Sequence, residues 1–236
     1  MLTRRHFVIT TATMFSGPIA SPLLAQETAT SEVTTEAAAA VEPVKVKRRP
    51  VSNSAMWNSY DARVTPANYD PMTSNPWGLK PRLLPRIVNA NDGLKPGDIH
   101  VDAVARYLYH IRDDGTAMRY GVAIGRSGLY EPGVYTVGRK TKWPTWIPTK
   151  DMIEREPHKY KKYEDGMDGG PSNPLGSRAL YLYEGRRDTY LRIHGSPQPR
   201  SIGSRASSGC VRMVMAHIIG LYDQVETGVT AHLYPA

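Results

Sequence analysis

The chain has 236 residues, 40% of them hydrophobic, a length that suits one domain with additional segments or two small domains. A formal net charge of +8 favours anionic partners, although the charge pattern alone favours a solvated basic surface. No nucleic-acid-binding motif is present, so nucleic acid is not an expected partner. The single cysteine excludes an internal disulfide bond.

Residues 1–25 are predicted to be an export signal. Arg4 and Arg5 precede a mostly apolar stretch at 7–19, and small residues lead up to Ala25. The arginine pair resembles a bacterial twin-arginine signal, which predicts a periplasmic protein. The apolar run is short for a bilayer, so contact with the membrane is expected only during export; an uncleaved anchor is the alternative.

Residues 26–82 are predicted to be a linker and an irregular lead-in. The first part, to about residue 55, is rich in Ala, Thr, Ser and Glu and shows no core-forming periodicity. Residues 56–82 combine prolines with Trp57, Tyr60, Tyr69 and Trp77, and this composition predicts an irregular segment packed on the domain.

Residues 83–236 are predicted to form a mainly β domain, either a sandwich or a barrel. Short β-branched and aromatic runs alternate with turn residues, and Asp114-Gly115 predicts a hairpin turn. The expected strands lie at 84–88, 99–102, 107–111, 118–124, 134–137, 179–183, 190–194 and 231–234. A helix is predicted from the apolar spacing of Met215, Ile218, Ile219 and Tyr222.

Two segments carry the candidate chemistry, Ile193-His194-Gly195 and the run from Ser207 to Met213 that contains Cys210. A thiolate is the nucleophilic form of cysteine, and a nearby histidine either removes the thiol proton or stabilises the thiolate as an ion pair. Gly209 allows a tight turn, so the N–H groups of Gly209 and Cys210 are expected to face an oxyanion. A following helix N-terminus would also favour negative charge on the sulfur.

His-Gly followed by Ser-x-Gly-Cys-Val-Arg resembles the signature of the L,D-transpeptidase (YkuD-type) catalytic domain. Further segments resemble this family in the same order and cover about residues 83–236; they lie at 95–99, 107–109, 143–146, 169–171, 173–176, 201–203 and 221–222.

The resemblance implies a β-sandwich with a short helix after the nucleophile, and an acyl transfer that needs no cofactor and no metal. Cys210 would form a thioester with a peptidoglycan tetrapeptide stem and release D-alanine. An amine of another stem would then receive the acyl group, giving a 3→3 crosslink. His194 would be the general base and then the acid, and the carbonyl of Gly195 would orient it.

The same resemblance assigns supporting roles and shows two departures. Ser207 would brace the loop, and Arg212 would hold the loop or bind a substrate carboxylate. Ser208 stands where many members have a second histidine, and Glu131-Pro132-Gly133 replaces a common Thr-Pro-x-Gly.

Other functions remain open from the sequence. Water as acceptor would make the protein an L,D-carboxypeptidase, and a lysine of an envelope protein would make it an anchoring enzyme. A wall-binding module without catalysis is a third possibility. A papain-like protease is disfavoured because the cysteine follows the histidine.

Several residues near these motifs have more than one interpretation. Trp143 and Trp146 either line a cleft or pack in a core or lid, and residues 160–163 either cap the site or form a solvated loop. Four arginines near the motifs would attract acidic stems without individual roles, namely Arg178, Arg192, Arg200 and Arg205. The five other histidines, at positions 100, 110, 158, 217 and 232, show no metal-ligand spacing.

Overall fold

The computed structural model describes residues 54–236, which belong to a compact unit of residues 49–236. The predicted export signal and the first half of the predicted linker lie outside the described residues. Within residues 54–236, every helix is too short or too polar to cross a membrane.

The elements follow one another mostly as short strands. The first half of the domain contains α1 (Ser54–Val64), a 3-10 turn (Pro81–Leu83), β1 (Arg86–Asn89), β2 (Ile99–Asp102), β3 (Tyr107–Ile111), β4 (Thr116–Gly121), β5 (Ile124–Gly125) and β6 (Gly133–Lys142). Two short helices and a 3-10 turn come next, α2 (Lys150–Arg155), α3 (Pro157–Tyr160) and Lys161–Tyr163. The second half contains β7 (Arg178–Glu184), β8 (Arg187–Ser196), a 3-10 turn (Pro199–Ser201), β9 (Arg205–Ser207), β10 (Val211–Val214), α4 (Met215–Gln224) and β11 (Thr230–Leu233).

Nine strands form one mixed sheet in the order β1-β4-β3-β2-β11-β6-β7-β8-β10, and β5 pairs with β9. Most neighbours are antiparallel, but β8 pairs with β10 and β2 with β11 in parallel. Ala123, just after β4, bridges Arg212 in β10, with mutual N–H to carbonyl distances of 2.9 and 2.7 Å. The sheet is therefore curved strongly enough to bring the strands near its two ends together.

The two halves of the curved sheet enclose one apolar core. Val101 and Tyr120 from one half share a cluster of buried residues with Leu182, Ile193 and Met213 from the other half. Because strand side chains alternate between faces, strands such as β2, β7 and β8 contribute every second residue to this core. The predicted mainly β class is confirmed, and so is the hairpin between β3 and β4, where Gly115 has a φ of 75°.

The structure differs from the sequence-based expectation at α1, at β9 and β10, and in the position of Cys210 relative to α4. Residues 54–64 form helix α1 instead of an irregular lead-in, although none of its residues is buried. Strands β9 and β10 were not predicted, because each is four residues or shorter and lacks a long alternating pattern. Helix α4 begins at Met215, after β10, so Cys210 does not lie at a helix N-terminus and receives no stabilisation from one.

Candidate active site

The candidate catalytic residues share one face of the sheet. In the parallel pair of β8 and β10, Arg212 lies opposite His194. Their neighbours Ile193 and Met213 point to the other face and lie in the core. Cys210 precedes β10 by one residue and Arg212 by two, which places it on the side of His194.

The thiol of Cys210 is half-buried, and its Sγ lies 3.7 Å from the backbone carbonyl oxygen of Tyr190. Burial raises the pKa of this thiol above its usual value, while the charges of Arg192 and Arg212 oppose that rise. The cysteine therefore rests mainly as the neutral thiol at neutral pH, with cations close enough to stabilise the thiolate once it forms.

His194 is buried and fixed in one tautomer. Its Nδ1 lies 2.6 Å from the carbonyl oxygen of Gly195, which only accepts hydrogen bonds, so Nδ1 carries the proton and Nε2 is the basic atom. Burial, and to a smaller extent the charge of Arg212, lower the pKa of His194 to about 3. The imidazole is therefore neutral, which favours a base that removes a proton over a preformed ion pair with the thiolate.

The loop before Cys210 is held by one hydroxyl group. Ser207 donates from Oγ to the carbonyl oxygen of Cys210 at 2.5 Å and accepts from the N–H of Gly209 at 3.2 Å. The sequence predicts that the N–H groups of Gly209 and Cys210 face an oxyanion. In the structure, the N–H of Gly209 donates to Ser207, and the N–H of Cys210 lies beside the sulfur atom of the same residue. Gly209 has a φ of 132°, a conformation that favours glycine.

Arg212 and Ser208 connect this loop to its surroundings. Arg212 is half-buried and donates from Nη1 to Oε1 of Gln198 at 3.3 Å, while its Nε is buried without a hydrogen-bond partner among the described residues. Ser208 Oγ lies 3.5 Å from the hydroxyl oxygen of Tyr160. The hydroxyl group of Ser208 therefore faces the segment 143–177, which we call the cover segment.

The cover segment carries a small apolar core of its own, formed by Trp146, Tyr160 and Leu175. Tyr160 is buried, so the interpretation of residues 160–163 as a fully solvated loop is wrong for this residue. Glu156, between α2 and α3, accepts from Nη2 of Arg126 at 2.5 Å. Because the N–H of Arg126 donates to the carbonyl oxygen of Ser207, the cover segment is connected on two sides to the loop 207–210, which we call the nucleophile loop after the proposed role of Cys210.

Both tryptophans of the cover segment pack inside the protein. Trp143 is buried and donates from Nε1 to Asp61 of α1 at 3.1 Å. Trp146 packs edge-on against Tyr160 and Tyr163. Of the two interpretations that the sequence left open, the core or lid role therefore describes both residues.

Sequence reasoning left three contributors without a role. Arg192 lies two residues before His194 in β8, and this strand spacing is the signal that would have placed it on the same face. Arg126 and Glu156 lie far apart in the chain and carry no sequence signal of their pairing. Among residues 54–236, no group of three His, Cys, Asp or Glu side chains is placed to hold a metal ion.

The curated proteins that are similar to the chain include probable L,D-transpeptidases. The chain is 30% identical over 152 residues to the "Probable L,D-transpeptidase ErfK/SrfK" of Escherichia coli (strain K12), covering 64% of this chain and 47% of that protein. It is 31% identical over 147 residues to "Probable L,D-transpeptidase YbiS" of the same strain, covering 61% and 46%. The chain therefore spans about half the length of these relatives.

Two solved structures are also similar to the chain. One is described as a probable carnitine operon oxidoreductase from Brucella melitensis, with 51% identity, coverage of 63% of this chain and 91% of that one, and a TM-score of 0.46. An L,D-transpeptidase mutant from Enterococcus faecium has 17% identity, coverage of 60% and 50%, and a TM-score of 0.46.

The family model of the L,D-transpeptidase catalytic domain (YkuD) matches residues 96–233. This range includes both strands of the candidate site, the loop between them and the cover segment. By this match over more than half of its length, the chain belongs to the L,D-transpeptidase catalytic domain family.

Proposed function

We propose that this protein is an exported peptidoglycan L,D-transpeptidase that works through a thioester on Cys210. The observation that carries the proposal is the buried, neutral His194, whose Nδ1–H is held by Gly195 on the sheet face that Cys210 and Arg212 share. A base of fixed tautomer beside a thiol and two arginines suits nucleophilic acyl transfer.

In the first step, Nε2 of His194 removes the thiol proton while the sulfur attacks the carbonyl carbon that precedes the terminal D-alanine of a tetrapeptide stem. The N–H of Cys210 and the arginine charges stabilise the negative charge that develops on the carbonyl oxygen and the sulfur. The carbon–nitrogen bond then breaks, and the imidazolium of His194 gives its proton to the departing amine of D-alanine. The product is a thioester.

In the second step, an amine of another stem attacks the thioester carbonyl and His194 accepts a proton from that amine. The carbon–sulfur bond breaks, the sulfur regains a proton, and a 3→3 crosslink is formed. Water in place of the amine would give a carboxypeptidase product, and a protein lysine would give covalent anchoring of an envelope protein. The crosslinking reaction is our choice because the family match is to a transpeptidase domain.

The location of the enzyme is part of the proposal. Residues 1–25 would direct export through the twin-arginine route to the periplasm, and residues 26–82 would connect the signal to the catalytic domain at 83–236. The second part of this connection is ordered, because α1 and residues 65–83 are packed on the domain through contacts such as that of Tyr69 with His217 at 2.7 Å.

The test is incubation of purified sacculi with the wild-type protein and with Cys210→Ala, followed by analysis of the muropeptides and of released D-alanine. We expect 3→3 dimers and D-alanine from the wild type only, and a thioester adduct of the stem on Cys210 by mass spectrometry. D-alanine release by Cys210→Ala would refute the assignment of the nucleophile. Tripeptides without dimers would identify hydrolysis as the reaction.

A further inference from the structure

Two pockets lie on either side of Trp77 and of the loop 197–204, which connects His194 to Cys210. The first, of about 350 Å³, is lined by residues that include Ser196, Pro197 and Val214. The second, of about 470 Å³, is lined by residues of 77–83 and 200–204. We call the first the proline pocket and the second the cationic pocket.

The proline pocket is continuous with the catalytic face of the sheet. Ser196 lies opposite Val214 in the parallel pair of β8 and β10, two residues beyond the pair of His194 and Arg212. Side chains two residues apart in a strand point to the same face. The pocket therefore begins next to the catalytic residues, and Trp77, which lines both pockets, connects it to the cationic pocket.

Three basic side chains line the cationic pocket, and none of them is paired with a carboxylate among the described residues. Lys80, Arg82 and Arg200 line it and are exposed. Among residues 54–236, none of these three side chains forms an ion pair. Arg106 and Arg205 add to the same field, since the pKa of Arg106 is lowered by burial and by the charges of Arg205 and Arg82, although the carboxylate of Asp102 partly offsets this effect. Such a surface attracts a ligand with more than one negative charge.

Dimensions argue that this ligand is not the stem attached to Cys210. Gly203, in the wall of the cationic pocket, donates to Val122, and the adjacent Ala123 bridges Arg212. The near edge of the pocket, at Gly203, is separated from β10 by two strand spacings sideways and from Cys210 by two residues along the strand direction. Together these separations correspond to about 12 Å between this edge and Cys210. The three residues of a stem that stay on the sulfur span at most about 11 Å when fully extended, so this stem would have to be stretched to its limit to approach the edge of the pocket.

We propose that the cationic pocket binds the carboxylates of a second peptidoglycan stem, the one that supplies the attacking amine. This inference rests on the proposed function and adds the position of the acceptor. Lys80, Arg82 and Arg200 hold the acidic groups of the acceptor, the apolar parts of its backbone lie against Trp77, and its amine reaches toward the thioester along the loop 197–204.

The experiment compares two half-reactions of the full chain with soluble muropeptides, using Lys80→Ala/Arg200→Ala. The release of D-alanine from a tetrapeptide donor reports on the donor, and the dependence of dimer formation on acceptor concentration reports on the pocket. We expect unchanged D-alanine release and an acceptor KM raised about fivefold or more, as expected for two exposed charge pairs. Lys80→Arg/Arg200→Lys should restore the acceptor KM.

The matched control is Lys95→Ala/Arg186→Ala, which removes the same charge from exposed positions outside both pockets. Its acceptor KM should equal that of the wild type. An unchanged acceptor KM in the pocket variant overturns the inference, and so does an equal loss of D-alanine release and dimers, which would assign the pocket to the donor. Loss of binding to phosphatidylglycerol vesicles with normal crosslinking would assign it to lipid. A wild type that releases no D-alanine would instead refute the proposed function.

Discussion

Cys210 and His194, the proposed nucleophile and base, are both kept neutral by burial, so the charge separation that the proposed attack needs has to arise during the reaction. The pKa of Cys210 is raised and that of His194 is lowered, and in both cases burial is the main cause. Arg192 and Arg212 act in opposite ways on the two groups: their charges favour the thiolate and disfavour the imidazolium. The arginines thus keep His194 a proton acceptor.

The first prediction concerns the charge of Arg212. Replacing it in Arg212→Gln removes a positive neighbour that lowers the pKa of the thiol, so this pKa should rise further. The thiolate fraction at pH 8 should then fall, and the rate of alkylation by iodoacetamide should drop by about threefold to tenfold, since one pKa unit corresponds to a factor of ten. Arg186→Gln should alkylate at the wild-type rate, and equal rates for both variants would contradict the role of Arg212.

The second prediction concerns the backbone of the nucleophile loop. An alanine at position 209 would have to adopt a φ of 132°, and its Cβ would lie 3.1 Å from the carbonyl oxygen of Leu129. Gly209→Ala should therefore cost about 1–3 kcal/mol and displace Cys210, with a loss of D-alanine release of at least tenfold. Gly220→Ala is the control, because Gly220 lies in α4 with open space around it and should gain stability. Wild-type turnover in Gly209→Ala would contradict this view of the loop.

At the scale of elements, helix α1 has no buried residue and is held to the domain by the polar contacts of Asp61 and by the ring contact of Tyr60 with Trp143. Asp61 accepts from Nη1 and Nη2 of Arg178 at 2.9 and 2.7 Å and also from Trp143. The side chain of Arg178 is only 3% exposed. Asp61, which lies outside residues 96–233, therefore neutralises the buried charge of Arg178 at the start of β7. It also holds the side chain of Trp143, the first residue of the cover segment.

The third prediction follows from this arrangement. Asp61→Asn leaves the buried Arg178 without a counter-charge and should cost about 2–4 kcal/mol, less than for a fully buried pair because Asp61 is partly exposed. The melting temperature should fall by several degrees. Asp92→Asn, at an exposed position, should melt like the wild type. An unchanged melting temperature in Asp61→Asn would mean that the ion pair of Asp61 with Arg178 contributes nothing to the stability of the domain.

The elements that could be predicted from the sequence are those with a long alternation of apolar and polar residues. β2, β3 and the following hairpin alternate clearly and end in turn residues, so the sequence located them within two residues. β10 has only four residues, and its place is fixed by its pairing with β8, which local patterns do not reveal. α1 could not be predicted because its contacts are with residues far along the chain.

At the scale of the whole molecule, the candidate site could be predicted in its centre but not in its surroundings. The motif around His194 and Cys210 is local, so the sequence identified these two residues and the carbonyl of Gly195. The cover segment, with Tyr160 against Ser208, depends on tertiary packing. The cationic pocket likewise combines residues 77–83 with 200–204, which only the folded chain brings together.

The fourth prediction concerns stability against pH. The pKa values of His194 and His217 are lowered to about 3 by burial, whereas an unfolded chain binds protons at histidine near pH 6.5. Below about pH 6.5 the unfolded state therefore binds more protons than the native state, and the free energy of unfolding falls as the pH falls. Each histidine contributes at most about 1.4 kcal/mol per pH unit until about pH 3.

Urea unfolding at pH 7, 6 and 5 measures this slope. In His217→Gln, an amide replaces the imidazole beside Tyr69, and the slope should decrease by at most about 1.4 kcal/mol per pH unit, the share of one histidine. The remaining slope comes from groups such as His194, His100 and His110, whose pKa values are also lowered by burial. His158→Gln changes an exposed position and should keep the wild-type slope. A slope that is the same in all three proteins would contradict a neutral, buried His217.

The parallel pairing of β8 with β10 has a consequence for the order of events during folding. Parallel neighbours cannot be joined by a tight hairpin, so the chain between His194 and Cys210 has to form a crossover before the two residues meet. Non-local parallel pairing is slow compared with hairpin formation. We therefore expect the thiol of a newly made chain to lack its histidine partner until β10 has paired with β8, so the proposed reactivity of Cys210 would arise late in folding.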